Sequence, residues 1–66
     1  MKILYPEISV KLVGEDGNAF AILGRTTRAM REFGVPSDVV DEYVKQATAG
    51  DYNNLLRVTC AWVDTY

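Results

Sequence analysis

Between Ile8 and Leu12 apolar and polar residues alternate, with Ile8, Val10 and Leu12 set against Ser9 and Lys11. A period of two belongs to a strand with one buried face, because successive side chains point to opposite sides. Leu4 shares the parity, but Pro6 lies between and has no N–H to donate. The strand is therefore expected at a sheet edge, or to begin just after the proline. Gly14-Glu15-Asp16-Gly17-Asn18 ends it with turn residues. Asp16 or Asn18 is placed to cap a following helix, since a short side-chain oxygen accepts from the free N–H groups of a first turn.

From Ala19 the period lengthens. Phe20, Leu23, Thr27 and Met30 recur at helical spacing, and Ala19, Ile22, Thr26 and Phe33 broaden the same apolar face. Arg25, Arg28, Arg31 and Glu32 take much of the other side. Gly34 stands where a left-handed C-cap is expected, with Pro36 just beyond it. A second helix begins at Pro36 or Ser37, carries Asp38 and Asp41 near its positive end, and buries Val40, Tyr43, Val44 and Ala47. Ala49-Gly50 closes it. Asp51 then caps a third helix, with Leu55, Leu56, Thr59, Cys60 and Val63 on one face and Val58 and Trp62 beside them. The closing residues WVDTY are rich in strand formers, and two readings stand open for them: continuing the third helix, or leaving it as a short strand that pairs with the first. The fold class expected is α+β, mainly α: one edge strand, then three short helices, in a single domain spanning residues 1–66.

A chain of 66 residues buries only about 60% of its unfolded surface, so its core is marginal. The usual reinforcements are a disulfide, a metal or a second chain. Cys60 is the sole cysteine and histidine is absent, which excludes an internal disulfide and leaves no ordinary zinc ligand set. Self-association is the remaining route, and a homodimer is expected for two reasons. A single strand cannot satisfy its own ladder groups and must pair with the C-terminal tail or with a second copy, and three short helices present more apolar face than one small core covers. A net charge of −2 gives no general attraction to nucleic acid or anionic membrane. No apolar run approaches the roughly 20 residues that span a bilayer. The opening MKILYPEISVK does not read as a secretory signal, and with the lone cysteine this fits a reducing cytoplasm.

Candidate chemistry is thin. A phosphate loop needs four residues between its first glycine and a Gly-Lys-Ser/Thr triplet. Here six residues separate Gly17 from Gly24, and Arg25-Thr26 follows. Gly14 and Gly17 do not form the close pair of a dinucleotide fingerprint, and Glu15 with Asp16 cannot supply a calcium loop. A turn and a helix cap explain these residues more simply. Asp38, Asp41, Glu42 and Asp51 sit at helix starts, where the helix dipole accounts for them without acid–base catalysis. Cys60 has no histidine to activate it as a nucleophile and is expected as a small buried hydrophobe. Trp62 is expected in the core and Tyr52 at a shared boundary. The sequence therefore points to a protein without catalytic residues, cofactor or metal.

Arg25, Arg28 and Arg31 drift around one side of the first helix. They suit a phosphate-binding row, a solvated face steadied by Glu32 four residues after Arg28, or contact with an acidic protein partner.

Together GEDGNAFAILGR, GDYNNLL and Trp62-Val63 resemble a widespread family of small uncharacterised proteins from phages, plasmids and bacteria. The likeness runs from about Ile8 to Val63. Its pattern joins Gly-x-Asp-Gly-Asn-x-Phe to a later Gly-Asp-Tyr before two leucines. It is matched here at Gly14, Asp16, Gly17, Asn18, Phe20, Gly24, Gly50, Asp51, Tyr52, Leu55, Leu56 and Trp62. Pro36 and Ala49 stand where such proteins often carry serine, both at helix boundaries. The resemblance brings no activity, but it implies a stand-alone protein of a mobile element. The function expected is a non-enzymatic protein-binding accessory or inhibitor of such an element. The candidate interaction surface comprises Glu15, Asp16, Asn18, Arg25, Arg28, Arg31, Asp51 and Tyr52. The alternative is a small nucleic-acid-binding dimer that sets the arginines on phosphate. Both glycine–acid pairs introduce a helix, so the two helix starts are expected to lie near each other.

Overall fold

The computed structural model describes residues 2–66. In chain order the elements are strand β1 (Tyr5–Val10), helices α1 (Ala19–Phe33), α2 (Ser37–Ala47) and α3 (Tyr52–Trp62), and strand β2 (Val63–Thr65). This is the α+β, mainly helical architecture that the residue pattern predicts; of the helix and strand readings open for the C-terminal residues the strand is adopted, and Val63, expected on the face of α3, leaves the helix to begin β2.

The two strands run parallel, paired Tyr5 with Val63, Ser9 with Asp64 and Val10 with Thr65, with an irregularity between Tyr5 and Ser9. Parallel neighbours need a long crossover, and the three helices supply it. Beyond the strand ends the pairing continues. Tyr66 N donates to Val10 O at 3.1 Å, and Leu12 N to Tyr66 O at 2.6 Å. Leu12 thus keeps its half-buried place although β1 ends at Val10. The first reason for expecting a dimer falls away here, because β1 finds its ladder partner within the chain.

Local signals set the helix ends. Asn18 caps α1, its side chain accepting from Phe20 N at 2.8 Å, while Asp16 Oδ1 accepts from Asn18 N at 3.0 Å. Asn18 is therefore the cap and Asp16 shapes the turn before it. Gly34 ends α1 at φ 100°, in the left-handed region that penalises a Cβ. The N–H of Val35 reaches back to Met30 O at 3.0 Å, and the Val35 side chain is buried beneath the turn. Asp51 caps α3 by accepting from Asn54 N at 2.9 Å.

Ile8 and Val10 meet Ile22 and Met30 of α1, Val40, Tyr43 and Ala47 of α2, and Leu55, Trp62 and Val63 in one core. Trp62 is its hub, as expected. Its ring stacks on Tyr5 at 6.2 Å and meets Tyr43 edge-on at 5.7 Å, and its Nε1 donates to Gln46 Oε1 at 3.0 Å. Tyr43 OH and Thr59 Oγ1 share a buried hydrogen bond of 2.7 Å.

Three expected core positions, Phe20, Phe33 and Cys60, differ. Ile22, Thr26 and Met30 define the buried line of α1, and Phe20 lies well round the helix from it, 84% exposed. Phe33 is the last residue of α1, beyond Met30, and is also exposed. Leu4 precedes β1 and points to solvent. Cys60 is exposed rather than buried, because Leu55, Thr59 and Trp62 fix the inner face of α3 and the residue after Thr59 turns about 100° away. The Cys60 thiol instead meets Thr65 Oγ1 at 3.4 Å. Leu4, Val13, Phe20, Phe33, Tyr52 and Tyr66 remain exposed.

Candidate functional site

The loop before α1 and the α2–α3 junction meet at one corner of the fold. Tyr52, the first residue of α3, reaches across to donate its hydroxyl hydrogen to Gly17 O. A Cβ on Gly17 would lie 3.4 Å from that hydroxyl. The two helix starts expected to be neighbours are therefore joined directly, through a tyrosine that keeps 45% of its surface exposed.

The junction is held by Asn54, a residue the sequence pattern does not single out. Its backbone N–H fills the Asp51 cap, and its Nδ2 donates to Gln46 O at 3.0 Å at the end of α2. One side chain thus satisfies a helix C-terminus while its backbone serves the next N-terminus. Gly50 is needed for this turn. A Cβ there would stand 2.9 Å from Asn54 Cβ, closer than two carbons pack. The signal available beforehand was an asparagine one turn after a Gly-Asp pair, which is common in capped helices and points to no particular contact.

Between α1 and this junction opens an apolar cleft of about 250 Å³, lined by Ala19, Leu23, Ala47 and Leu55 with Phe20 and Tyr52. Phe20 lines the cleft and is still mostly exposed, so its ring stands at the mouth. A pocket of this size accepts one apolar side chain, and it falls below the 300–1,000 Å³ range typical of small-molecule sites.

Among the expected interaction residues, Glu15, Asp16 and Asn18 lie on the exposed loop that Tyr52 ties to α3, and Asp51 lines the cleft. These form one neighbourhood. The arginines do not join it as a single row. Arg28 pairs with Glu32 at 3.5 Å, both side chains exposed, which is the solvated face expected from their spacing. Arg25 is half-buried, with Nη1 enclosed and without a hydrogen-bond partner among the described residues. Arg31 is exposed near the end of α1. The acids Asp38, Asp41 and Glu42 are exposed along α2, with Glu42 accepting from Gln46 Nε2 at 3.0 Å. Among the described residues no helix is long and apolar enough to cross a membrane.

No family model, curated protein or solved structure matches the chain.

Proposed function

We propose that the protein is a non-enzymatic, protein-binding accessory or inhibitor of a phage or other mobile element, acting in the cytoplasm, and that it recognises protein through the Phe20 corner. The observation that carries this reading is Phe20 itself, 84% exposed at the mouth of an apolar cleft it shares with Tyr52. A lone exposed hydrophobe needs no explanation. An aromatic beside an unfilled apolar hollow is the usual anatomy of an interface anchor and its pocket. The capping bonds and the Tyr52–Gly17 link also hold this corner in shape before anything binds, which lowers the ordering cost of association. The arginine placement supports protein over nucleic acid. Arg28 is engaged by Glu32 and Arg25 is half-buried, so the three do not present one phosphate-facing row.

The test is affinity capture with tagged wild-type protein, Phe20→Asp and Lys45→Ala, the last an exposed position on α2 outside the cleft. The expected result is a bound protein, whether another copy or a different chain, retained by Lys45→Ala and lost with Phe20→Asp. Circular dichroism confirms that the variants fold. Capture undiminished by Phe20→Asp overturns the assignment of the surface.

A further inference from the structure

Phe20, Gly24 and Arg31 are exposed along one side of α1, with the buried Thr27 between Gly24 and Arg31 in the same row of three- and four-residue spacings. The row starts behind Glu15 and Asp16 and ends at Arg31, so it runs acidic, aromatic, small, basic. Gly24 is the unexpected member. It lies inside α1, where glycine is the poorest former short of proline, and a Cβ built on it meets nothing within 4 Å. Nothing among the described residues asks for glycine there. Arg28 is held by Glu32, whereas Arg31 makes no salt bridge among the described residues.

These features describe a surface complementary to itself. We propose that the protein recognised by the Phe20 corner is a second copy of this chain, docked with the two α1 helices antiparallel and crossing at Gly24. The proposal rests on the protein-recognition reading above and names its partner. About a two-fold axis, positions equally far before and after Gly24 meet across the interface. Arg31 of each copy then comes beside the acidic Glu15–Gly17 turn of the other, and Phe20 lies over the turn that carries Arg28, whose aliphatic stem and guanidinium both suit an aromatic face. Gly24 against its own counterpart lets the backbones approach. The opposed helix dipoles agree with this arrangement. A parallel arrangement would set acid against acid and arginine against arginine. A 15-residue helix is about 22 Å long, short for an interface that usually buries roughly 800 Å² per partner. The dimer therefore belongs to the weak, concentration-dependent class.

Sedimentation velocity from low to high micromolar protein tests this, with wild type, Gly24→Gln, Arg31→Glu and the double exchange Arg31→Glu with Glu15→Lys. The expected result is a wild-type dimer that weakens in high salt and loosens by about tenfold or more with Gly24→Gln, although that variant melts at a higher temperature than wild type. Loss of the dimer together with a gain in stability separates an interface role from misfolding. Arg31→Glu weakens the dimer and the double exchange restores it. A dimer that survives Gly24→Gln overturns the crossing. A wild-type monomer at all concentrations that still shows Phe20-dependent capture overturns self-pairing and leaves recognition of a different protein standing. A monomer without such capture overturns both.

Discussion

Removing one oxygen atom from the core, by Tyr43→Phe, tests how the fold is held at its centre. Tyr43 and Thr59 are both fully buried, and their hydroxyls meet at 2.7 Å. The Thr26 hydroxyl faces the same phenol without reaching hydrogen-bond geometry, and is itself buried without a partner. Deleting the phenolic oxygen removes the bond and leaves the Thr59 hydroxyl in an apolar setting, a cost of about 1–3 kcal/mol. Thr59 can turn its hydroxyl to a carbonyl of its own helix, which favours the lower half of that range. A domain of this length has about 3–10 kcal/mol in all, so the loss is a large fraction, and a drop in Tm of about 4–16 °C follows. Trp62, the only tryptophan, lies edge-on to Tyr43 and reports unfolding in urea by its fluorescence. Thr59→Val added to Tyr43→Phe removes both partners together and recovers part of the loss. The same phenol gives a pH signature. Burial raises its pKa above the ordinary value, while the Thr59 bond and the nearby Thr26 hydroxyl pull it down. The folded state therefore holds this proton after the unfolded chain has released it near pH 10. Its contribution is complete below that pH and is lost as the pH climbs toward the raised value, and Tyr43→Phe flattens this part of the curve. A single mutant within about 0.3 kcal/mol of wild type, below the range expected for losing a buried bond, refutes the reasoning.

Other substitutions probe the corner that carries the proposed function. Gly50→Ala forces its Cβ against Asn54 Cβ at 2.9 Å and costs about 1–3 kcal/mol, seen as a lower urea midpoint. Asp51→Ala removes the α3 cap and costs about 1 kcal/mol. Amide exchange quickens at Asn54, whose N–H loses its acceptor. Tyr52→Phe breaks the link to Gly17 at an exposed site, so global stability falls by no more than about 1 kcal/mol. Hydrogen exchange instead shows faster opening across residues 14–18, and a loop that stays equally protected counts against the link.

Where one residue's chemistry dictates local geometry, the sequence reads directly into the structure. Gly34 turning left-handed, Asp51 and Asn18 capping their helices, and Ile8 alternating with Ser9 all follow from side-chain chemistry within a few positions. The second strand was only half legible: Val63 and Thr65 are strand formers, but Val63 also continues the helical stripe of α3, and the parallel register depends on where three helices return the chain. The rotation of each helix about its axis was less legible. Phe20 and Cys60 fit an apolar stripe by residue type, yet Ile22, Thr26 and Thr59 fill the inner positions, because a threonine whose hydroxyl is close to Tyr43 can be buried where hydropathy favours a phenylalanine. The cleft was invisible for the same reason. It arises from what Leu23, Ala47 and Leu55 leave unfilled, and no local pattern encodes an empty volume. The nearness of the two helix starts was suggested by their shared Gly–acid form, while the tyrosine hydroxyl that joins them spans 35 residues of sequence, beyond any local pattern.

The recognition role of the Phe20 corner is tested most directly by replacing Phe20 with a benzophenone-bearing phenylalanine analogue and irradiating the protein in cells, with the same probe at Lys45 as control. A discrete crosslinked protein band is expected from position 20 and absent from position 45, and its mass tells a second copy from a different chain. Equal crosslinking from both positions, or none from position 20, contradicts that role.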